Sequence, residues 1–198
     1  MPQDDDLRET VRFYDEHAHQ YADEWFDKPL AAHIRSFAAT LRPGARVLDA
    51  GGGHGRDSAE LAKRGFKPCL LDLSAGLLAE ARARGVDVCM VQGDLRSLPF
   101  RDRSFDGVWA CASLVHLERA QMPKALRELH RVTCEGGTLF ISMRVGSGEG
   151  WEMWNGLRRF YTYVQPTEAI ELLEDAGWSV PWWGVERSRW FSAIGTKE

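Results

Sequence analysis

The spacing of apolar residues divides the chain into an all-helical start and an alternating remainder. Over residues 4–26, Leu7, Val11, Tyr14, Ala18, Tyr21 and Trp25 recur at spacings of 4, 3, 4, 3 and 4, which is one face of a single helix. Three acidic residues at its start suit a helix N-terminus. Leu30, Ile34, Phe37 and Leu41 form the face of a second helix, closed by Pro43-Gly44. The pattern then shortens. Arg46–Ala50, Lys67–Leu73, Val86–Gly93, Phe105–Ser113 and Thr138–Val145 read as strands. Helices are expected between them: Arg56–Arg64 up to Gly65, a stretch capped by Ser74 and ended by Gly85, and one from Pro123 to Val132. Gly146–Gln165 breaks the rhythm. It carries Trp151, Trp154, Phe160, Tyr161 and Tyr163 and reads as an irregular lid or acceptor loop. Pro166 opens a last helix that stops at Gly177, and Val180–Glu186 with Trp190–Thr196 form a closing pair of strands.

Strands alternating with helices imply an α/β fold. The expected architecture is a doubly wound, mostly parallel seven-stranded sheet with helices on both faces. Its last strand is antiparallel, and the N-terminal helices form a cap. The 198 residues suit one domain, with residues 1–41 as the helical cap and 146–165 as the lid. There is no internal repeat and no linker-like tract.

Composition narrows the function classes. A hydrophobic fraction of 44% excludes a disordered chain. No apolar run approaches the roughly 20 residues of a spanning helix, so no membrane partner is expected. The net charge is −4, and Arg158-Arg159 is the one basic cluster, so nucleic acid is not an expected partner. Cys69, Cys89, Cys111 and Cys134 contain no CxxC pair, and the six histidines show no ligand spacing. Reduced thiols and no metal site are expected. The N-terminus lacks the basic start and apolar core of a signal peptide, which points to the cytoplasm. A monomer or homodimer fits equally well.

The run Val47-Leu48-Asp49-Ala50-Gly51-Gly52-Gly53-His54-Gly55 leaves a strand and enters a helix. Glycines there let the chain turn sharply and let a ligand approach the backbone. The helix start beyond offers free N–H groups. A dinucleotide fingerprint is G-x-G-x-x-G, which seats a pyrophosphate. Here the glycines fall as Gly51-x-Gly53-x-Gly55, and Asp49 stands two places before the first. A carboxylate repels pyrophosphate and attracts an ammonium group, as on an amino-acid nucleoside.

This run resembles the first motif of the class I S-adenosylmethionine-dependent methyltransferases, of the small single-domain type. LLDLS at 70–74, VQGDLRSLPF at 91–100, FDGVWACASLVHL at 105–117 and ELHRVTCEGGTLFIS at 128–142 resemble the motifs that follow it, in order. The resemblance implies S-adenosyl-L-methionine as cofactor and S-adenosyl-L-homocysteine as product. It gives Asp49, Gly51, Gly52 and Gly53 to the methionine end. Asp72 and Leu73 fall to the ribose, whose vicinal hydroxyls suit a bidentate acceptor. Asp94 and Leu95 fall to the adenine, and Ala110 lies on the strand whose end is near the transferred methyl. Arg56 is a candidate for the cofactor carboxylate. Tyr14 and Tyr21, on the N-terminal helix, are candidates for covering the methionine end.

His116 follows the fourth strand, where relatives place groups facing the acceptor. It is the one candidate catalytic residue, as general base, since an ordinary imidazole titrates near neutrality. The competing reading is a structural histidine lining the pocket. His116, Trp151, Arg159, Tyr161 and Tyr163 are the expected acceptor pocket. His54 is expected to point to solvent, and Trp182, Trp183 and Trp190 to pack at the core or edge. The expected function is methyl transfer to a small-molecule acceptor. The alternatives are a non-catalytic S-adenosylmethionine or nucleoside-binding protein, a protein methyltransferase, and a nicotinamide oxidoreductase, against which the glycine spacing argues.

Overall fold

A computed structural model describes residues 5–28, 30–154, 156–187 and 189–198. Strands β1 (Arg46–Ala50), β2 (Lys67–Asp72), β3 (Cys89–Gln92), β4 (Phe105–Cys111) and β5 (Thr133–Val145) form a parallel sheet in the order β3-β2-β1-β4-β5. Helices α4 (Arg56–Lys63), α5 (Ala75–Ala83) and α6 (Met122–Val132) make the crossovers. After α7 (Pro166–Asp175), β8 (Trp178–Glu186) turns into β9 (Trp190–Lys197). Strand β9 lies antiparallel to both β5 and β8. The expected α/β class and antiparallel last strand therefore stand. The strand interiors are apolar because both sheet faces are covered: Val47, Leu48, Leu70, Leu71, Val108 and Trp109 are fully buried. Trp109 stacks on Phe140 with ring centres 4.0 Å apart.

Among the described residues the sheet holds nine hydrogen-bonded strands rather than seven. The stretch read as an irregular lid is a hairpin, β6 (Glu149–Trp154) with β7 (Leu157–Val164), paired from Glu149↔Thr162 to Trp154↔Leu157. Its aromatic residues are strand formers. Gly156, at φ +83°, turns it in a conformation that L side chains rarely adopt. The end of β7 joins the sheet beside β5 through Arg144↔Tyr163 and Val145↔Val164.

The single N-terminal helix expected over 4–26 is two helices, α1 (Asp5–Glu16) and α2 (Ala18–Trp25); residue 4 lies outside the described residues. His17, at φ −121° and ψ 19°, leaves helical geometry and bends the chain. The two halves then reach different partners. Thr10 of α1 accepts a hydrogen bond from the Phe160 N–H of β7 at 3.0 Å. On α2, Asp23 pairs with Arg84 at the end of α5. Between them, Asp15 accepts from Ser74 Oγ at 2.6 Å and from the Gly76 N–H at 2.8 Å. Ser74 in turn caps α5 by accepting from the Leu77 N–H. The cap is thus fastened to the carboxyl end of β2. Helix α3 (Ala31–Ala38) packs Ile34 and Phe37 into the core against Val47 and Trp109.

Candidate functional site

A cavity of about 650 Å³ opens at the carboxyl ends of β1, β2 and β4, where ligands of open α/β sheets bind and within the ordinary size range of small-molecule pockets. Its floor is the glycine turn. Gly51 and Gly53 adopt φ of +73° and +58°. A Cβ on Gly51 would meet Ser113 at 2.4 Å, and one on Gly52 would meet the Asp49 carboxyl and Leu70 at 2.4 Å. Its roof is the apolar stripe of the N-terminal helices. Leu7, Val11, Tyr14, Tyr21 and Trp25 line the cavity, so this face serves the site, while Phe13, Ala18 and Ala22 are buried on the neighbouring face.

Three acids stand at the ends of three successive strands. Asp49 is 1% exposed and accepts from Ser58 Oγ at 2.6 Å. Burial, reinforced by nearby Asp57, pushes its carboxyl up to about 7. Asp72 accepts the Gly53 N–H at 2.8 Å on one oxygen and the Ser74 N–H at 2.9 Å on the other. Burial raises it to about 6 against those hydrogen bonds. Each Asp72 oxygen keeps acceptor capacity toward the cavity. Burial also acts on Asp94, but hydrogen bonds from the Arg96 guanidinium and N–H outweigh it and hold that carboxyl below its ordinary range.

Arg56 opens α4 beside the glycine turn. It donates to both oxygens of Asp57 at 2.8 and 2.9 Å, and Asp57 also accepts from the buried Trp109 indole at 3.0 Å. The chain Trp109–Asp57–Arg56 fixes one cation against the loop. His54 does not point to solvent: it is 5% exposed, packed against Tyr21 and Phe26, and lowered to about 4, chiefly by burial.

A second polar chain joins His116, Tyr14 and Arg159 in the cavity wall. His116 Nδ1 lies 2.8 Å from the Phe160 carbonyl, which can only accept, so Nδ1 carries the proton. Nε2 is then an acceptor, and the Tyr14 hydroxyl donates to it at 3.0 Å. Arg159 Nη1 donates to the Tyr14 oxygen at 3.1 Å. Burial lowers His116 to about 4 and raises Tyr21 to about 12, with Tyr14 also well above its ordinary value. At neutral pH the imidazole is therefore uncharged and both phenols stay protonated. Arg159 is 9% exposed and its Nε has no partner. Desolvating a guanidinium costs several kcal/mol, and cation–π contacts offset only part of that.

Of the residues expected from the sequence, Tyr14, Tyr21, Asp49, Gly51, Gly52, Gly53, Arg56, Asp72, Leu73, Asp94, Leu95, His116, Arg159 and Tyr161 line this one cavity. Three do not. Ala110 is fully buried one residue short of the lining, which begins at Cys111. Trp151 lies under the Arg158 guanidinium, 4.4 Å from ring centre to Cζ. Tyr163 is not part of the lining, although its hydroxyl donates to Glu152, which is. The sequence reading missed Ser113, Arg144, Glu152 and Trp190 in the lining. Trp190, expected as core or edge packing, forms wall and lies under Arg144. Trp182 and Trp183 remain about half exposed on the edge strand β8.

The family pattern described as a methyltransferase domain matches residues 47–137. The chain is 37% identical over 149 residues to a demethylmenaquinone methyltransferase of Beutenbergia cavernae, covering 70% of this chain and 60% of that protein. It is 29% identical to a putative methyltransferase of Encephalitozoon cuniculi, covering 92% of this chain and 93% of the relative. In fold it superposes on the Burkholderia thailandensis 1,6-didemethyltoxoflavin-N1-methyltransferase with a TM-score of 0.78, 23% identity and coverage of 96% and 88% of the two chains. The matched pattern contains the glycine turn, Asp72, Asp94 and the end of β4, which together wall the cavity. The chain belongs to the class I S-adenosylmethionine-dependent methyltransferase family.

Proposed function

We propose that this chain binds S-adenosylmethionine in the cavity and transfers its methyl group to a small-molecule acceptor. The observation that carries the reading is the convergence of Asp49, Asp72 and Asp94 on one cavity around a turn that has no room for a Cβ at Gly51 or Gly52. Asp49, held beside the turn, suits an ammonium group. Asp72, with one lone-pair direction left on each oxygen, suits a ribose diol. Arg56, with Nη1 free of Asp57, suits a carboxylate. The relatives support a small acceptor: one is a demethylmenaquinone methyltransferase, and the Burkholderia neighbour was solved with 1,6-didemethyltoxoflavin and S-adenosylhomocysteine.

When bound, the cofactor supplies a methyl group already activated on a sulfonium sulfur. The residues of this chain then have three tasks: to align the acceptor, to exclude water and to hold protons in place. The roof residues Tyr14, Tyr21 and Trp25 exclude water. His116 is the candidate base, acting through Tyr14: an acceptor proton would pass to the Tyr14 oxygen as the Tyr14 proton moves to Nε2. An imidazole titrating at about 4 is a weak base, so this relay suits only an acceptor that is itself acidic.

The test is turnover of cofactor carrying a labelled methyl group against a panel of small acceptors. The reading requires label in an organic product and release of S-adenosylhomocysteine. Tight cofactor binding without turnover on any acceptor, protein substrates included, would instead favour a non-catalytic sensor.

A further inference from the structure

Arg159 is a buried cation ringed by aromatic side chains. Its guanidinium carbon lies 5.2 to 6.0 Å from the centres of five rings, those of Phe13, Tyr14, Tyr21, Trp154 and Tyr161. Two other arginines of the cavity are paired, Arg56 with Asp57 and Arg144 with Glu152. Among the described residues no carboxylate lies within 4.0 Å of Arg159. Its one hydrogen bond goes to the neutral Tyr14 hydroxyl, and its Nε, wholly buried, has no partner. A guanidinium stays charged in any environment and carries five N–H donors in a planar fork. Arg159 is one of the residues that line the cavity.

Arg159 and Arg56 come from different walls of the cavity. Arg56 already stands at the glycine turn. Arg159 comes from the hairpin and is joined through Tyr14 to His116, in the segment that follows β4. The surrounding rings make the space about Arg159 largely aromatic; Glu152, its cross-strand partner, also lines the cavity but is paired with Arg144, and a protonated amine beside Arg159 would meet a like charge.

We propose that the methyl acceptor is an anion: a planar, apolar acid whose carboxylate pairs with Arg159 inside this ring of aromatic side chains. This rests on the methyltransferase reading and names its substrate class. It also accounts for a site in which the histidine lone pair is already engaged by Tyr14.

The experiment is calorimetric titration of the full chain, saturated with S-adenosylhomocysteine, with matched planar probes: benzoate against benzamide, naphthoate against naphthamide, and indoleacetate against indoleacetamide. The acids are expected to bind about tenfold or more tightly than their amides, the scale of one charge-assisted pair. Arg159→Gln should abolish that preference, while Arg159→Lys keeps part of it. Both should leave S-adenosylhomocysteine affinity within about threefold. Equal binding of acids and amides to the natural protein, or no binding of any acid, overturns the proposal. So does a tenfold loss of S-adenosylhomocysteine affinity in Arg159→Gln with methylthioadenosine affinity unchanged, which would assign Arg159 to the cofactor carboxylate. If the natural protein fails to bind S-adenosylhomocysteine at all, the underlying reading has failed instead. The comparison of acids with amides needs no variant, so a misfolded Arg159→Gln protein does not rescue the proposal.

Discussion

The Tyr14 hydroxyl donates to His116 Nε2 across 3.0 Å, joining the first helix to the segment after the fourth strand, 102 positions away in sequence. The direction of that bond follows from the Phe160 carbonyl, which claims the Nδ1 proton. The same oxygen accepts from Arg159, so one phenol holds together the roof, the hairpin and the end of β4.

Tyr14→Phe removes the shared atom and leaves the His116 lone pair and an Arg159 N–H without a partner. The expected loss of stability is about 1–3 kcal/mol, the cost of stranding buried polar groups. Denaturant unfolding of the two proteins reads it directly. If His116 acts through Tyr14, turnover on a hydroxyl acceptor falls further than cofactor affinity does.

Gly52→Ala places a methyl group 2.4 Å from both the Asp49 carboxyl and Leu70. Neither can withdraw, because Asp49 is tied to Ser58 and Leu70 lies fully buried in β2. Overpacking of this kind costs about 1–3 kcal/mol, and it displaces the carboxylate that the ammonium group needs. The variant is expected to fold with a lowered midpoint and to show no measurable binding of S-adenosylhomocysteine.

Stability and binding should respond to pH in opposite senses. Burial raises Asp49 to about 7 and Asp72 to about 6, whereas in the unfolded chain both return to the ordinary range near 4. The folded ligand-free protein therefore holds these protons more tightly. Its stability from this source is fully present below about pH 4 and is lost as the pH rises through about 6 to 7. Cofactor affinity, which needs Asp49 ionised, should rise over that upper range. Thermal unfolding and calorimetry across the interval check both, and Asp49→Asn should flatten the binding profile.

Glu9 and Thr10 also fasten α1 to the hairpin, and these two contacts should differ in weight. Thr10→Val strands the buried Phe160 N–H and is expected to cost about 1–3 kcal/mol. Glu9→Ala breaks an exposed ion pair with Arg158 that water and salt already screen, and should leave the unfolding midpoint nearly unchanged. A Glu9 effect as large as that of Thr10 would contradict the assignment of the contact.

The parallel sheet and the cofactor side of the cavity were legible in the sequence, because both rest on local signals. Strand-end acids and glycine turns announce themselves within a few residues: Asp49 stands out by its place before the glycines, and the resemblance to the family's motifs adds Asp72 and Asp94. The acceptor side was less legible because it is assembled from distant segments. The hairpin reads as a loop because its aromatics suit pocket lining as well as strands, and only the register of β6 on β7 separates the two. Trp151 reads as wall with Arg159 and Tyr161, but its pairing with Phe160 puts it on the opposite face of the hairpin; Tyr163 shares their face and is not part of the cavity lining. His54 was expected in solvent because it sits between glycines, and only the folding of α2 over the turn buries it. Helix periodicity gave the Tyr14–Tyr21 stripe correctly without distinguishing a face that meets the core from one that roofs a cavity.

The central claim is tested most directly by calorimetric titration of the chain with S-adenosylhomocysteine at neutral pH, beside Asp72→Ala. The account predicts saturable one-site binding that weakens by about tenfold or more when the diol acceptor is removed. Absence of binding to the natural chain, or affinity indifferent to Asp72, would contradict it.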